Sequence, residues 1–149
     1  MYKNIMVFKL LTYTGLLFYN TKKSLFRNTR RDYNLTGLVE IHHIIPRQFK
    51  RHPTIIFSKY DIENGYNFVF LPNKKGENVL NIHPDRPIHN NGHIEYNYYV
   101  KQRLDDIFNK IYQFDIIDTI ISKENLQHLM CELNIELRQN MRHLDVPWF

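Results

Sequence analysis

The residues best suited to chemistry lie in the middle of the chain: the adjacent pair His42 and His43, the asparagines Asn64 and Asn67, and two further histidines, His89 and His93. Imidazole is a common metal ligand, and its ordinary pKa near 6.5 also makes it a base that takes a proton from water at neutral pH. A neighbouring pair can divide these tasks, one ring bound to a metal and the other neutral and unbound. The pair closes a short apolar run, Leu38-Val39-Glu40-Ile41, opened by Gly37, which reads as a strand. Side chains alternate along a strand, so His42 and His43 point to opposite faces. His89 and His93 stand four apart. In a helical turn that spacing would put both rings on one face, able to meet a single ion at about 2.0 to 2.1 Å. Asn90, Asn91 and Gly92 between them are poor helix formers, so a loop running into a helix is the other reading of this turn. A divalent ion beside an activated water is the equipment of a hydrolase.

These residues also carry a resemblance. The blocks are Ile41-His42-His43-Ile44-Ile45-Pro46, then Asn67 leading through Val69-Phe70 into Leu71-Pro72, then His89-Asn90-Asn91-Gly92-His93 with Tyr96 behind it. In that order they resemble the AHH branch of the HNH, or His-Me finger, nucleases, with Ile41 standing where the family name has Ala. The resemblance covers roughly residues 37–104. It implies a phosphodiester hydrolase built on a ββα-metal finger around one divalent ion. It further implies that His43, directly before the Ile-Ile-Pro turn, is the general base, and that His42 joins His89 and His93 as metal ligands. Asn67 matches the middle Asn of the pattern, and its implied task is to tie the loop to the base-bearing strand so that a backbone carbonyl holds the His43 ring in the useful tautomer. The candidate ions are zinc, nickel, manganese and magnesium, and all-imidazole ligation suits zinc or nickel better than magnesium. Asn64, followed by Gly65, reads as a turn residue.

Positioning this set takes a hairpin and a helix. The spacing predicts a strand over 39–43 paired with a second over 68–71, then a helix from near Gly92 whose apolar positions Val100, Leu104, Ile107, Phe108 and Ile111 recur at three- and four-residue steps. A last helix is expected to start at Ser122 as N-cap, with a stripe of Leu126, Leu129, Met130, Leu133, Leu137 and Met141 that packs as support. Cys131 reads as a small core residue beside that stripe. Residues 20–36 read as a basic connector, 72–87 as a loop, and a short helix is allowed after Pro46. The apolar run of residues 5–18 is interrupted by Lys9 and falls short of the roughly 20 residues that span a bilayer. It reads as an element packed on the core, and it lacks the small-x-small cleavage site of a signal peptide.

With 149 residues and 43% hydrophobic content the chain suits one folded domain. The expected fold is α+β: a ββα-metal finger over 37–104 embedded in a mostly helical single domain 1–149, with 105–149 as supporting helices. One cysteine excludes an internal disulfide and a cysteine zinc cluster, so a metal must use other ligands. The net charge of +5 is concentrated early, where Lys22, Lys23, Arg27, Arg30, Arg31, Arg47, Lys50 and Arg51 face only Asp32 and Glu40. Such a surface fits a phosphate backbone, and Arg27, Arg30, Arg31, Arg47, Lys50 and Arg51 are the nucleic-acid-binding candidates. The function expected is a metal-dependent endonuclease with little sequence preference, DNA ahead of RNA as substrate, inside the cell and with no membrane partner. The alternative is a nucleic-acid-binding module in which a His-bound zinc holds the fold, and His43, which such a site does not need, separates the two. A toxic effector domain of a larger conflict system is a third possibility that the resemblance permits.

Overall fold

The computed structural model describes residues 23–81, 88–89, 93–113 and 120–143. Two short strands, β1 (Val39–His43) and β2 (Phe68–Pro72), pair antiparallel with His42 opposite Val69 and His43 opposite Phe68. Around this ribbon stand α1 (Lys23–Asp32), α2 (Pro53–Ser58), α3 (Lys74–Val79), α4 (Ile94–Gln113) and α5 (Ile120–His143), with 3-10 turns at Arg47–Arg51 and Gly65–Asn67. The described part is therefore a ββα unit, β1, β2 and α4, within a mostly helical α+β domain.

Alternation along the strands divides the apolar residues between two clusters. Val69 and Leu71 pack with Ile44, Tyr96, Val100 and Leu104, and with Leu126, Met130, Leu133 and Leu137 of α5. Phe68 and Phe70 point the other way and join Val39, Leu35 and Phe26. The Phe26 ring sits 5.4 Å from Phe68 and 5.2 Å from Phe70 and is fully buried, which contributes about 1.5 to 3 kcal/mol. Those ring contacts turn the expected connector into a helix: α1 has one buried residue, so no apolar period announces it, yet the ribbon gives Phe26 a partner. Arg30 and Arg31 in its last turn suit the negative end of the helix dipole.

Three other expectations change. The stretch from Pro72 begins with α3, because Asn73 Oδ1 accepts from Gly76 N at 2.8 Å and caps it. Gly76 is needed there, since a Cβ would lie 1.8 Å from the Leu38 carbonyl oxygen. Helix α5 starts at Ile120, ahead of Ser122, so Ser122 is inside it rather than its cap. Cys131 is exposed, because the buried stripe of α5 runs through Leu126, Met130, Leu133, Leu137 and Met141 on another face. The helix allowed after Pro46 exists as the 3-10 turn, and Pro53 then opens α2, whose first turn is capped by His52 Nδ1 accepting from Thr54 N. The expectations for residues 1–22 and 82–87 lie outside the described residues. Among the described residues no helix is long and apolar enough to cross a membrane.

Candidate active site

His42 and His43 leave β1 on opposite faces, as the alternation of a strand requires. The His42 ring meets those of His89 and His93, with centroids 5.5 and 5.1 Å away, and His89 and His93 are themselves 5.3 Å apart. Neither of the two downstream histidines lies within a helix. His89 is hooked to the end of β2 by its amide, which donates to the Pro72 carbonyl at 2.7 Å, and His93 stands just before α4, its carbonyl accepting from Asn97 N at 2.8 Å. His89 and His93 are thus non-helical themselves, and residues 90–92, on which the choice between the two readings of this spacing turns, lie outside the described residues. Tyr96, in the first turn of α4, completes the wall: its ring is 6.2 Å from His42 and its hydroxyl donates to the Ile44 carbonyl at 2.5 Å.

One nitrogen from each of the three imidazoles lies within 4.8 Å of the others. Two nitrogens bound to one tetrahedral zinc at about 2.0 to 2.1 Å each lie about 3.4 Å apart, so closing on an ion takes an inward shift of the rings by about an ångström. The donor chemistry also fits. His42 Nε2 and both ring nitrogens of His93 are removed from solvent, and burial, followed by the neighbouring charges of His93, His89 and His43, lowers the His42 pKa from 6.5 to about 3. A ligand that is already neutral surrenders no proton on binding a cation.

His43 lies on the other face with its ring 4.7 Å from Phe68. Its Nε2 faces Glu63 Oε1 at 3.3 Å, and the same oxygen is 3.2 Å from Arg47 Nε. Burial lowers the His43 pKa below 6.5; Glu63 opposes this, while the cations Lys23 and Arg47 reinforce it. A carboxylate only accepts hydrogens, so the Glu63 contact places the hydrogen of the neutral ring on Nε2 and leaves Nδ1 as its basic nitrogen. Both faces open on one cleft of about 290 Å³, lined by Ile41, His42, His43, Pro46, Arg47, Gln48, His89, His93 and Asn97.

Asn67 does not line this cleft. It is fully buried behind it, donating from Nδ2 to the Ile45 and Ile62 carbonyls at 3.0 and 2.9 Å and accepting at Oδ1 from Ile45 N at 2.8 Å. Its backbone carbonyl takes Ile44 N at 2.8 Å, so the turn after His43 is held by Asn67 twice over. The predicted tie between loop and strand is present. The His43 ring nitrogen, however, meets the Glu63 carboxylate where a backbone carbonyl was expected. Asn64 is the expected turn residue, its Oδ1 accepting from Tyr66 N at 3.4 Å.

Of the basic candidates only Arg47 lines the cleft. Arg27, Arg31, Lys50 and Arg51 are exposed outside it. Arg30 is partly buried and serves β1, donating to the Val39 carbonyl at 3.3 Å and pairing with Glu40 at 3.5 Å. Glu63, Gln48 and Asn97 carry no periodic or motif signal in the sequence. Lys23 shows there only as charge, although its ammonium lies 5.5 Å from the centre of the Phe68 ring, beside His43.

A two-stranded antiparallel ribbon carrying a histidine pair, followed by a helix with a further histidine just before it that meets His42, defines a ββα finger. The family model that matches residues 29–130 is AHH, a nuclease family of the HNH/ENDO VII superfamily with conserved AHH. The match covers more than half of the chain, which belongs to that family, with Ile41 in place of the first residue of the signature. No curated protein and no solved structure matches it.

Proposed function

We propose that this nuclease is a metal-dependent endonuclease that hydrolyses phosphodiester bonds with His43 as general base. One observation supports this above the others: three imidazoles gather on one face of β1 while a fourth, kept neutral and unshared with them, opens from the other face onto the same cleft. A module that used its histidines only to hold a structural zinc has no need of His43 there. His42, His89 and His93 would hold the divalent ion, and the bound ion supplies Lewis-acid relief of charge on the phosphate and on the leaving oxygen.

The chain's own residues supply the rest. His43 Nδ1 takes a proton from the attacking water, and the imidazolium so formed is stabilised by Glu63 across Nε2. Arg47, at the rim of the cleft, meets a backbone phosphate, with Lys23 adding positive charge on the same side. Tyr96 fixes the carbonyl of Ile44 and thereby the exit of the chain from His43. The cleft offers Gln48 and Asn97 as its uncharged polar side chains, too few for extended sequence reading, which fits weak sequence preference.

The test is nicking of supercoiled plasmid, with a structured RNA in parallel, by purified protein supplied with zinc, nickel, manganese or magnesium and then with chelator. Metal-dependent nicking that chelator abolishes is expected. Absence of cleavage with every metal, together with a bound zinc whose removal unfolds the protein, would replace this reading with the structural-zinc module.

A further inference from the structure

Helix α5 has so far supplied packing, but two of its polar residues face inward. Asn134 and Arg138 are 5% and 8% exposed and stand four apart, on one face. Asn134 Nδ2 donates to the Tyr60 hydroxyl at 2.7 Å and approaches Asn67 Oδ1 at 3.4 Å, and the Tyr60 hydroxyl donates to that same Oδ1 at 3.0 Å. Arg138 Nη2 donates to the Tyr66 carbonyl at 2.5 Å and to the Phe68 carbonyl at 3.1 Å. These carbonyls belong to the residues immediately before and after Asn67. One turn of α5 thus grips Asn67 at its side chain and on both sides of its backbone.

We infer that Asn134 and Arg138 are positioning residues of the nuclease centre, holding Asn67 so that it fixes the turn behind His43. The inference rests on the nuclease reading above. What the two residues supply is orientation. An amide can be turned over, exchanging its acceptor for its donors. Turned over, Asn67 would set its NH₂ against Ile45 N–H and the Tyr60 hydroxyl, and its oxygen against two carbonyls. With donors from Tyr60 and Ile45 converging on Oδ1, and Asn134 behind them, only one orientation satisfies every group. The Ile44 and Ile45 amides are then held at fixed places, and the backbone leaving His43 with them. Arg138 adds a charge-assisted clamp, which keeps the Asn67 backbone from sliding along β2. Both residues lie beyond the 29–130 stretch matched by the family, so the grip is made by a part of this chain outside the shared finger.

The experiment compares full-length parent, Asn134→Leu, Tyr60→Phe and Arg138→Met with Met130→Ala, a purely apolar truncation on the same helix. Two quantities are read: amide hydrogen exchange in metal-free protein, and kcat and KM for plasmid nicking. Removing the Asn134 donor should speed exchange of the Ile45 amide by about tenfold or more while the β1–β2 amides keep their rates. kcat should fall by about 10- to 100-fold with KM within about twofold. Met130→Ala should lose thermal stability without this local signature. Tyr60→Phe, the smallest change, carries the test if Asn134→Leu does not fold. Unchanged Ile45 exchange in a folded Asn134 or Tyr60 variant, or effects no different from those of Met130→Ala at equal loss of stability, would overturn the inference. If the parent cleaves nothing with any metal, the nuclease reading falls, and the exchange rates alone decide whether the grip exists.

Discussion

Acidifying the metal-free protein should destabilise it, most strongly through His42. Its pKa is about 3 in the folded chain and 6.5 in the open one, so between these values the unfolded state holds a proton that the folded state refuses. For a group whose folded pKa is depressed, the stability is complete above the unfolded value and drains away as the pH falls toward the folded one. Each pH unit in that window removes about 1.4 kcal/mol. At pH 4.5 the accumulated loss from this residue is on the order of 3 kcal/mol, a fall in Tm of roughly 5 to 10 °C for a domain of this size. The assay is denaturant or thermal unfolding from pH 7.5 to 4.5 in chelator, for parent and His42→Asn. The variant begins less well packed, but the gap between the curves should narrow as the pH drops, since only the parent carries the imidazole. Parallel curves would refute the reasoning. They would mean either that the ring accepts its proton in place or that His89 and His93 do not crowd it.

Further outcomes separate catalysis from folding. His43→Ala should keep metal content and Tm near the parent's while cleavage drops by about 10² to 10⁴, whereas His93→Ala should lose metal binding and cleavage together; full activity in His43→Ala would remove it as the base. Because a base works only when deprotonated and burial holds His43 below 6.5, the acid limb of kcat/KM should have its midpoint under 6.5, and a midpoint above it would count against the assignment. Gly76→Ala drives a methyl into the Leu38 carbonyl and should cost about 3 kcal/mol, read by denaturant unfolding; a neutral result would show that α3 and Leu38, just before β1, pack less closely than described. Neutralising the exposed Arg27 and Arg31 should flatten the salt dependence of duplex binding by about 0.9 in log–log slope for each phosphate left without its cation, alike for all sequences. An unchanged slope would place the phosphate path elsewhere.

The central part of the fold was legible because two independent signals coincide there. The run from Val39 to His43 and the run from Phe68 to Pro72 are bounded by residues that break structure, and the histidine and asparagine blocks fall at their ends. Helix α4 was legible from its period, and so was the stripe of α5. Read strictly, that stripe already leaves Cys131 off the buried face. Helices α1 and α3 were not legible, since each is short and polar and exists through contacts made far along the chain: Phe26 against two strand phenylalanines, and Gly76 against the Leu38 carbonyl. The site divides in the same way. The candidate side chains of the motif carry a signal in the sequence, while Glu63, Asn134 and Arg138 enter only through where the fold sets them, and nothing local marks a glutamate in a turn or an inward asparagine on a helix.

The three imidazoles on the His42 face come from a strand near the start of the finger and from the segment that leads into α4, with α2, β2 and α3 between them in the chain. A growing polypeptide therefore holds no complete set of these rings until synthesis has passed His93, and the grip on Asn67 waits further, for Arg138. At about 5 to 20 residues per second, several seconds of translation separate His42 from the last of these residues. Under the mechanism proposed above, a chain still short of His93 lacks one of the three rings that would hold the ion.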